Sequence, residues 1–436
     1  MTKKWLLYSG LASLLLIPLG CSNHAETVNS SQSNKKEGID QPVKLIVNTA
    51  VGMSDDDFDK LVVQPVQKKY PNISFEKAAK AEELIAAGTV PDLVFTSNAQ
   101  INLSLDLGLG EDLSPMLKQY NIDLNRFEPE VVSSLKQIGK NGEIYGIPFD
   151  ANVGLMLYNK DIFDKFAVPY PKDNMTWNEV IELARKTTRS DNGVQYIGTD
   201  PGTAQSMIRQ YSLPVVDANQ EKAVLQSEGY KNVFSIIKQL YDIPGYIGPK
   251  KEFKYGADTF FKDRRLAMLP GWIDGTSKPL IEMEKSGSAF NWDVVSYPAY
   301  DDRPGLSKQV DIHLFLVPPT SKNKEAAYRV LELLVSDEAQ RAMNRSSTRL
   351  TVLKNPEIKK SYTEELGIFK GKNLEGLFKV KPALPPVNTV YDNKIYAVLS
   401  DAQKNIGQNG MDVNTALRTA DEQANSIITE VKNANK

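Results

Sequence analysis

The chain has a single cysteine and only two histidines in 436 residues. One cysteine cannot close a disulfide within the chain, so covalent cross-links play no part in holding the fold. His24 and His313 stand far apart in sequence, which removes the clustered ligands of a zinc site. Charge of one sign is also lacking: 52 basic against 54 acidic residues give a net charge of −2. Such a balance produces no field that would gather nucleic acid or an anionic membrane, and neither is expected as a partner. No glycine-rich phosphate cradle and no G-x-S-x-G elbow occurs. We therefore expect no metal, no cofactor and no catalytic residues. Beyond the first 20 residues, no apolar run is long enough to span a bilayer.

What is present begins at the N-terminus, where Lys3 and Lys4 precede an apolar stretch from Trp5 to Ile17. A positive start followed by an apolar run shorter than the ~20 residues of a spanning helix has the pattern of a secretory signal. The stretch ends at Pro18-Leu19-Gly20-Cys21, which resembles a bacterial lipobox, with Pro18 where leucine usually stands. The resemblance implies a signal peptide over 1–20 and lipidation of Cys21 as the mature N-terminus. Residues 22–40 are rich in Ser, Asn, Gln, Lys and Glu, the composition of a solvated tether. The rest, with 41% hydrophobic residues in the whole chain, is long enough for two domains.

Short apolar runs then alternate with amphipathic stretches, an α/β pattern. Val43–Val47 reads as a buried strand. Ser54 and Asp57 set a capping pattern for a helix carrying Phe58, Leu61, Val62 and Val66, stopped at Tyr70-Pro71-Asn72. Ile73–Phe75 and Pro91–Phe95 read as further strands, the latter ending in Thr96-Ser97-Asn98. The acidic residues Asp55, Asp56, Asp57 and Asp59 lack the glycine and distal glutamate of a calcium loop, and complement a helix N-terminus instead. Thr176 and Glu179 form a capping box. A single helix is expected over 323–345, and Val413, Leu417, Ala420, Ala424, Ile428 and Val431 recur at helical spacing near the C-terminus.

Several motifs stand in one order: Pro91-Asp92-Leu93, Asp112-Leu113-Ser114-Pro115, Gly142-Glu143-Ile144-Tyr145-Gly146-Ile147-Pro148-Phe149 and Tyr158-Asn159-Lys160-Asp161. Thr176-Trp177-Asn178-Glu179 and the stretch from Phe260-Phe261-Lys262-Asp263 to Ala267-Met268-Leu269-Pro270-Gly271-Trp272 continue it. Together they resemble the family 1 extracellular solute-binding proteins, which include the maltodextrin-binding proteins of ABC importers. The resemblance implies a two-lobe, type II periplasmic-binding-protein-like α/β fold with a ligand cleft at the hinge. Lobe 1 is then expected at 41–149 and 308–360, and lobe 2 at 150–307 and 361–436. It implies a monomeric receptor, anchored by lipid on the outer face of a Gram-positive cell membrane. The receptor captures a carbohydrate, an oligosaccharide by expectation, and delivers it to ABC permease subunits. Two carboxylates would suffice for a glycoside hydrolase, so that alternative stays open, as does a non-sugar solute.

Ligand contacts are expected where aromatic faces and polar groups converge, because sugar rings offer C–H faces and hydroxyls. Trp272 with Asp274 combines both. Asp150 and Asn152 follow the Tyr-Gly-Ile-Pro-Phe segment, where Gly146 and Pro148 redirect the chain toward the second lobe. Asp311 and His313 precede or open an apolar strand and alternate to one side of it. Ser97 and Asn98 end a first-lobe strand, and Asn48 follows the first one. Trp177 and Trp292 are assigned to the core, and Asn159 to capping the turn after it.

Overall fold

The computed structural model describes residues 41–434 except 79 and 140, and the side chain of Glu82 is also set aside. The signal peptide, Cys21 and the tether lie outside the described residues. From residue 41 the chain lays down β1 (Val43–Thr49), β2 (Ile73–Ala78), β3 (Leu93–Ser97) and β4 (Ile147–Ala151). It then builds β5 (Gly154–Asn159), β6 (Arg189–Asp191), β7 (Val194–Thr199), β8 (Leu266–Trp272) and β9 (Trp292–Ser296). Three later strands follow: β10 (Leu306–Gln309), β11 (Ile312–Leu316) and β12 (Lys381–Ala383).

These strands form two five-stranded sheets and a two-stranded ribbon. The first sheet runs β2-β1-β3-β11-β4, with β1 parallel to β2 and β3, and β11 antiparallel to β3 and β4. The second runs β6-β7-β8-β5-β9, and β10 pairs in parallel with β12. A strand made after the second sheet is thus inserted in the middle of the first. Each sheet carries its own apolar core. Leu45, Val47, Phe95, Phe149 and Phe315 belong to the first, and Leu157, Trp177, Phe234, Met268 and Ile428 to the second. The two-lobe α/β architecture expected from the sequence is the one observed.

Local chemistry explains the elements that flank the site. Ser54 accepts from the Asp57 amide at 3.0 Å and starts the helical stretch 55–69, whose first-turn carboxylates face the positive end of the helix dipole. Thr176 and Glu179 form the complete capping box, and Asn159 caps its helix by accepting from the Asp161 amide. The helix expected over 323–345 is two: Lys324–Leu334 and Asp337–Ser346. Ser336 breaks it by accepting from the Ala339 amide, with Asp337 and Glu338 behind it as a fresh first turn. The C-terminal helix Val413–Ala434 buries Leu417, Ala420, Ala424 and Ile428 against the second lobe. Gly410, in the left-handed region at φ 66°, ends the preceding helix Asp392–Asn409, an element the sequence pattern did not suggest.

The chain passes between the cores at the Asn152-Val153 link from β4 to β5, again from β10 to β11, and between Ile358 and Tyr362. The first two passes run side by side: the Asn152 amide donates to the Asp311 carbonyl at 2.9 Å. Adjacent crossings of this kind are the arrangement a hinge requires.

Candidate ligand cleft between the lobes

Where the crossings meet, the two bodies leave a cavity of about 300 Å³. The first lobe contributes Glu130, Ala151 and Thr351 to its wall, and the second contributes Gly154, Trp272 and Phe378. The crossing segments add Asn152, Ser307, Lys308 and Gln309. The volume lies at the small end of the roughly 300–1,000 Å³ typical of small-molecule sites. The wall mixes two aromatic side chains, Trp272 and Phe378, with several polar groups.

Trp272 ends β8, opposite Gly154 of β5, and is half-buried in the cavity wall. The Lys308 ammonium lies 4.9 Å from its ring centre and 5.0 Å from that of Tyr297, a doubled cation–π contact. Gly154 permits this course. A Cβ there would come within 2.6 Å of the Lys308 Cβ. Asp274 is exposed in the first turn of the helix Ile273–Lys285 that Trp272 opens. Its carboxylate accepts from the Gly275 amide at 2.6 Å.

On the first-lobe side, buried Asp150 holds both His313 and Arg349. His313 Nδ1 stands 2.7 Å from one carboxylate oxygen, and Arg349 Nη1 donates to the other at 2.8 Å. Burial alone would push the Asp150 carboxyl up, but the charges and hydrogen bonds of His313 and Arg349 outweigh it and hold the group below its ordinary value. Burial likewise pulls the His313 imidazole down, and Asp150, with Asp311 beyond it, reverses that and raises it. Beneath them the His313 ring lies against Phe95, with centroids 5.4 Å apart. Both oxygens of Asp150 are therefore engaged by protein.

Asp311 sits at the second crossing and accepts from the Asn152 side-chain amide at 3.2 Å. Its carboxyl is raised chiefly by burial; His313 and Asn152 oppose the shift, while Asp274 and Asp150 add to it. The expected residues thus fall into three groups. Trp272 and Asn152 line the cavity. Asp150, His313, Asp311 and Asp274 act on one another electrostatically beside it. The remaining three, Ser97, Asn98 and Asn48, are buried in the first lobe and do not line it.

Asn98 donates to Ser134 Oγ at 3.0 Å and to the Val310 carbonyl at 3.1 Å, and accepts from the Ile312 amide at 3.1 Å. It rivets β3 to the incoming β11. Ser97 faces His313 in the register of the same pair. Asn48 donates to the Ala78 carbonyl at 3.3 Å. Among the residues at the site that escaped sequence reasoning are Lys308, Gln309 and Arg349. Arg349 is separated from Asp150 by 199 positions, and no local pattern connects them.

A model for bacterial extracellular solute-binding proteins matches residues 47–368. The arabinooligosaccharide-binding protein of Bacillus subtilis strain 168 is 27% identical over 186 residues, a match covering 41% of this chain and 39% of that protein. Among solved structures, an ABC substrate-binding protein from Listeria monocytogenes in complex with cycloalternan superposes with a TM-score of 0.70 at 20% identity. That match covers 88% of this chain and 99% of the other. The sugar-binding protein MalE from Xanthomonas citri gives a TM-score of 0.69 at 15% identity, covering 89% and 98%. These likenesses carry the fold.

Proposed function

The chain belongs to the bacterial extracellular solute-binding protein family, and from that premise we propose that it is a receptor that captures a carbohydrate, an oligosaccharide by preference, for an ABC importer. The observation that carries this reading is the cavity at the lobe crossings, where Trp272 offers an aromatic face among polar groups. Sugar rings present C–H faces and hydroxyls, and such a wall answers both. The fold likeness to an oligosaccharide-bound protein and the arabinooligosaccharide-binding relative support the same class. The crossings supply the hinge: a ligand that touches both walls stabilises the closed form over the open one, and closure is the signal an importer can read.

The receptor does no chemistry on its ligand in this reading. Asp150, the most buried carboxylate near the cavity, has one oxygen held by His313 and the other by Arg349 and serves the protein's own network. The lipobox-like ending at Cys21 supports an anchor on the outer face of the membrane, which keeps the receptor near its permease. Among the described residues, no helix is long and apolar enough to cross a membrane.

The test is a thermal-shift screen of the purified protein against arabino-, malto-, manno- and galacto-oligosaccharides, with amino acids and polyamines alongside. A ligand that binds only the folded state raises the melting temperature. A rise with one sugar class, and recovery of that sugar intact, is the expected result. Rises confined to the non-sugars would overturn the carbohydrate assignment, and released reducing ends would overturn the receptor assignment. Replacing Cys21 with alanine is expected to release the protein into the medium.

A further inference from the structure

Lys308 is a buried ammonium in the wall of the cavity, and its partners are all neutral. It meets the rings of Trp272 and Tyr297 and donates to the Ser206 hydroxyl. Among the described residues, no carboxylate lies within 4.0 Å of its Nζ. Buried charges are ordinarily paired, because removing an ion from water costs several kcal/mol that two rings and a hydroxyl offset only in part. Burial accordingly pulls Lys308 down to about 8, with Asp311 alone pushing it back up. The other charges of the wall do not supply the missing partner. Glu128 is taken by Lys359, Glu130 belongs to the opposite lobe, and Lys381 adds a further positive charge.

Next to it stands an opposite need. The side-chain oxygen of Gln309 is buried in the same wall without a hydrogen-bond partner. An acceptor of this kind is satisfied by a hydroxyl. One ligand would therefore answer both residues if it carried an anionic oxygen beside a hydroxyl, on a ring able to lie against Trp272.

We propose that the cavity takes a carboxylate-bearing sugar, a uronate or uronate-containing oligosaccharide, with Lys308 selecting its charge and Gln309 accepting from a neighbouring hydroxyl. This rests on the carbohydrate reading and narrows it. The carboxylate completes a pair that the protein leaves open, whereas a neutral sugar leaves the ammonium as it stands. Charge-assisted bonds in such a wall are roughly twice as strong as neutral ones, so the acid form gains over its neutral counterpart.

The experiment is calorimetric titration of the purified protein with matched pairs of disaccharides and trisaccharides. Galacturonate, glucuronate and mannuronate oligomers are each set against the neutral oligomer of the same ring and linkage. The acid member of at least one pair is expected to bind about tenfold or more tightly than its neutral partner. Lys308→Met should bring that ratio to within about threefold, while Lys308→Arg, which keeps the charge, should retain it. If Lys308→Met does not fold, the wild-type ratios decide by themselves. Tighter binding of the neutral member in every pair that binds overturns the charge assignment and leaves the carbohydrate reading standing. No binding of any sugar, acid or neutral, overturns both.

Discussion

Arg349 and Asp150, 199 residues apart, meet in a 2.8 Å hydrogen bond that ties the loop after the helix Asp337–Ser346 to the last strand before the chain leaves the first lobe. Arg349 also reaches Asp57 at 3.5 Å, so a single guanidinium joins the N-terminal helix to the hinge strand. Removing one partner of a buried pair leaves the other charge uncompensated. We expect Arg349→Met to destabilise the fold by about 3–5 kcal/mol. Asp150→Asn should cost less, because an amide can still accept one of the two bonds. Urea unfolding of both single variants and of the double variant checks this: the double should cost less than the two singles together. Strict additivity would show that the pair is not coupled.

His313 makes the same network pH-dependent. Its imidazole is raised above the ordinary 6.5 in the folded protein, so the stability it contributes is fully present below pH 6.5 and is lost as pH climbs through the raised value. Asp150, held below 3.8, contributes above that pH and loses its share as pH falls through its lowered value. The melting temperature should therefore decline on going from pH 6 toward pH 8. In His313→Gln that decline should be reduced, which melting curves across the window would reveal. An unchanged slope in the variant would assign the pH dependence to other groups.

Much of the architecture was legible because it rests on local rules. The Ser54 and Thr176 caps, the β1 and β3 runs and the C-terminal helix are written in spacing and side-chain chemistry. Trp272 and Asn152 were legible as cavity residues through the order of motifs around them. The break at Ser336 was missed because the apolar period continues across it, and only the competing hydroxyl bond to the Ala339 amide stops the helix. Lys308 gave no signal at all: a lysine in a polar stretch reads as solvated surface. Its burial depends on Gly154 of another strand and on two aromatic rings, one of them 36 positions earlier at Trp272. Asn98 illustrates the opposite error of weight. Its amide suits a hydroxylated ligand on paper, but the insertion of β11 uses that amide for strand contacts.

The two tryptophans Trp272 and Trp177 should respond oppositely to truncation. Trp272 is half-buried in the cavity wall, so Trp272→Ala is expected to weaken ligand binding at least about tenfold with a small change in melting temperature. Trp177 is fully buried in the second-lobe core and bonds Gln210 at 3.2 Å, so Trp177→Ala should cost about 3–5 kcal/mol of stability. Titration and thermal melts on both variants separate the two roles. Unfolding of the Trp272 variant would make that ring structural.

Lys308 should be a liability to the empty protein. Its folded value of about 8 against 10.5 means that the fold disfavours the ammonium at neutral pH, by roughly 3 kcal/mol at the upper bound. Deprotonation relieves this: as pH rises from 8 toward 10.5 the folded chain sheds the proton before the unfolded chain does, so the residue's contribution becomes more favourable across that window. Lys308→Met keeps the stem against Trp272 and removes the charge. At pH 7 and without ligand, the variant is expected to be more stable than the wild type by about 1–3 kcal/mol, with the gap narrowing as pH approaches 10. Urea unfolding at the two pH values measures it. A variant less stable at both would mean that the cation–π contacts and the Ser206 bond outweigh desolvation, and that the ammonium stabilises the empty lobe interface. A gain at pH 7 that shrinks at pH 10 would mark Lys308 as a charge retained at a cost to stability, as a residue kept for binding is.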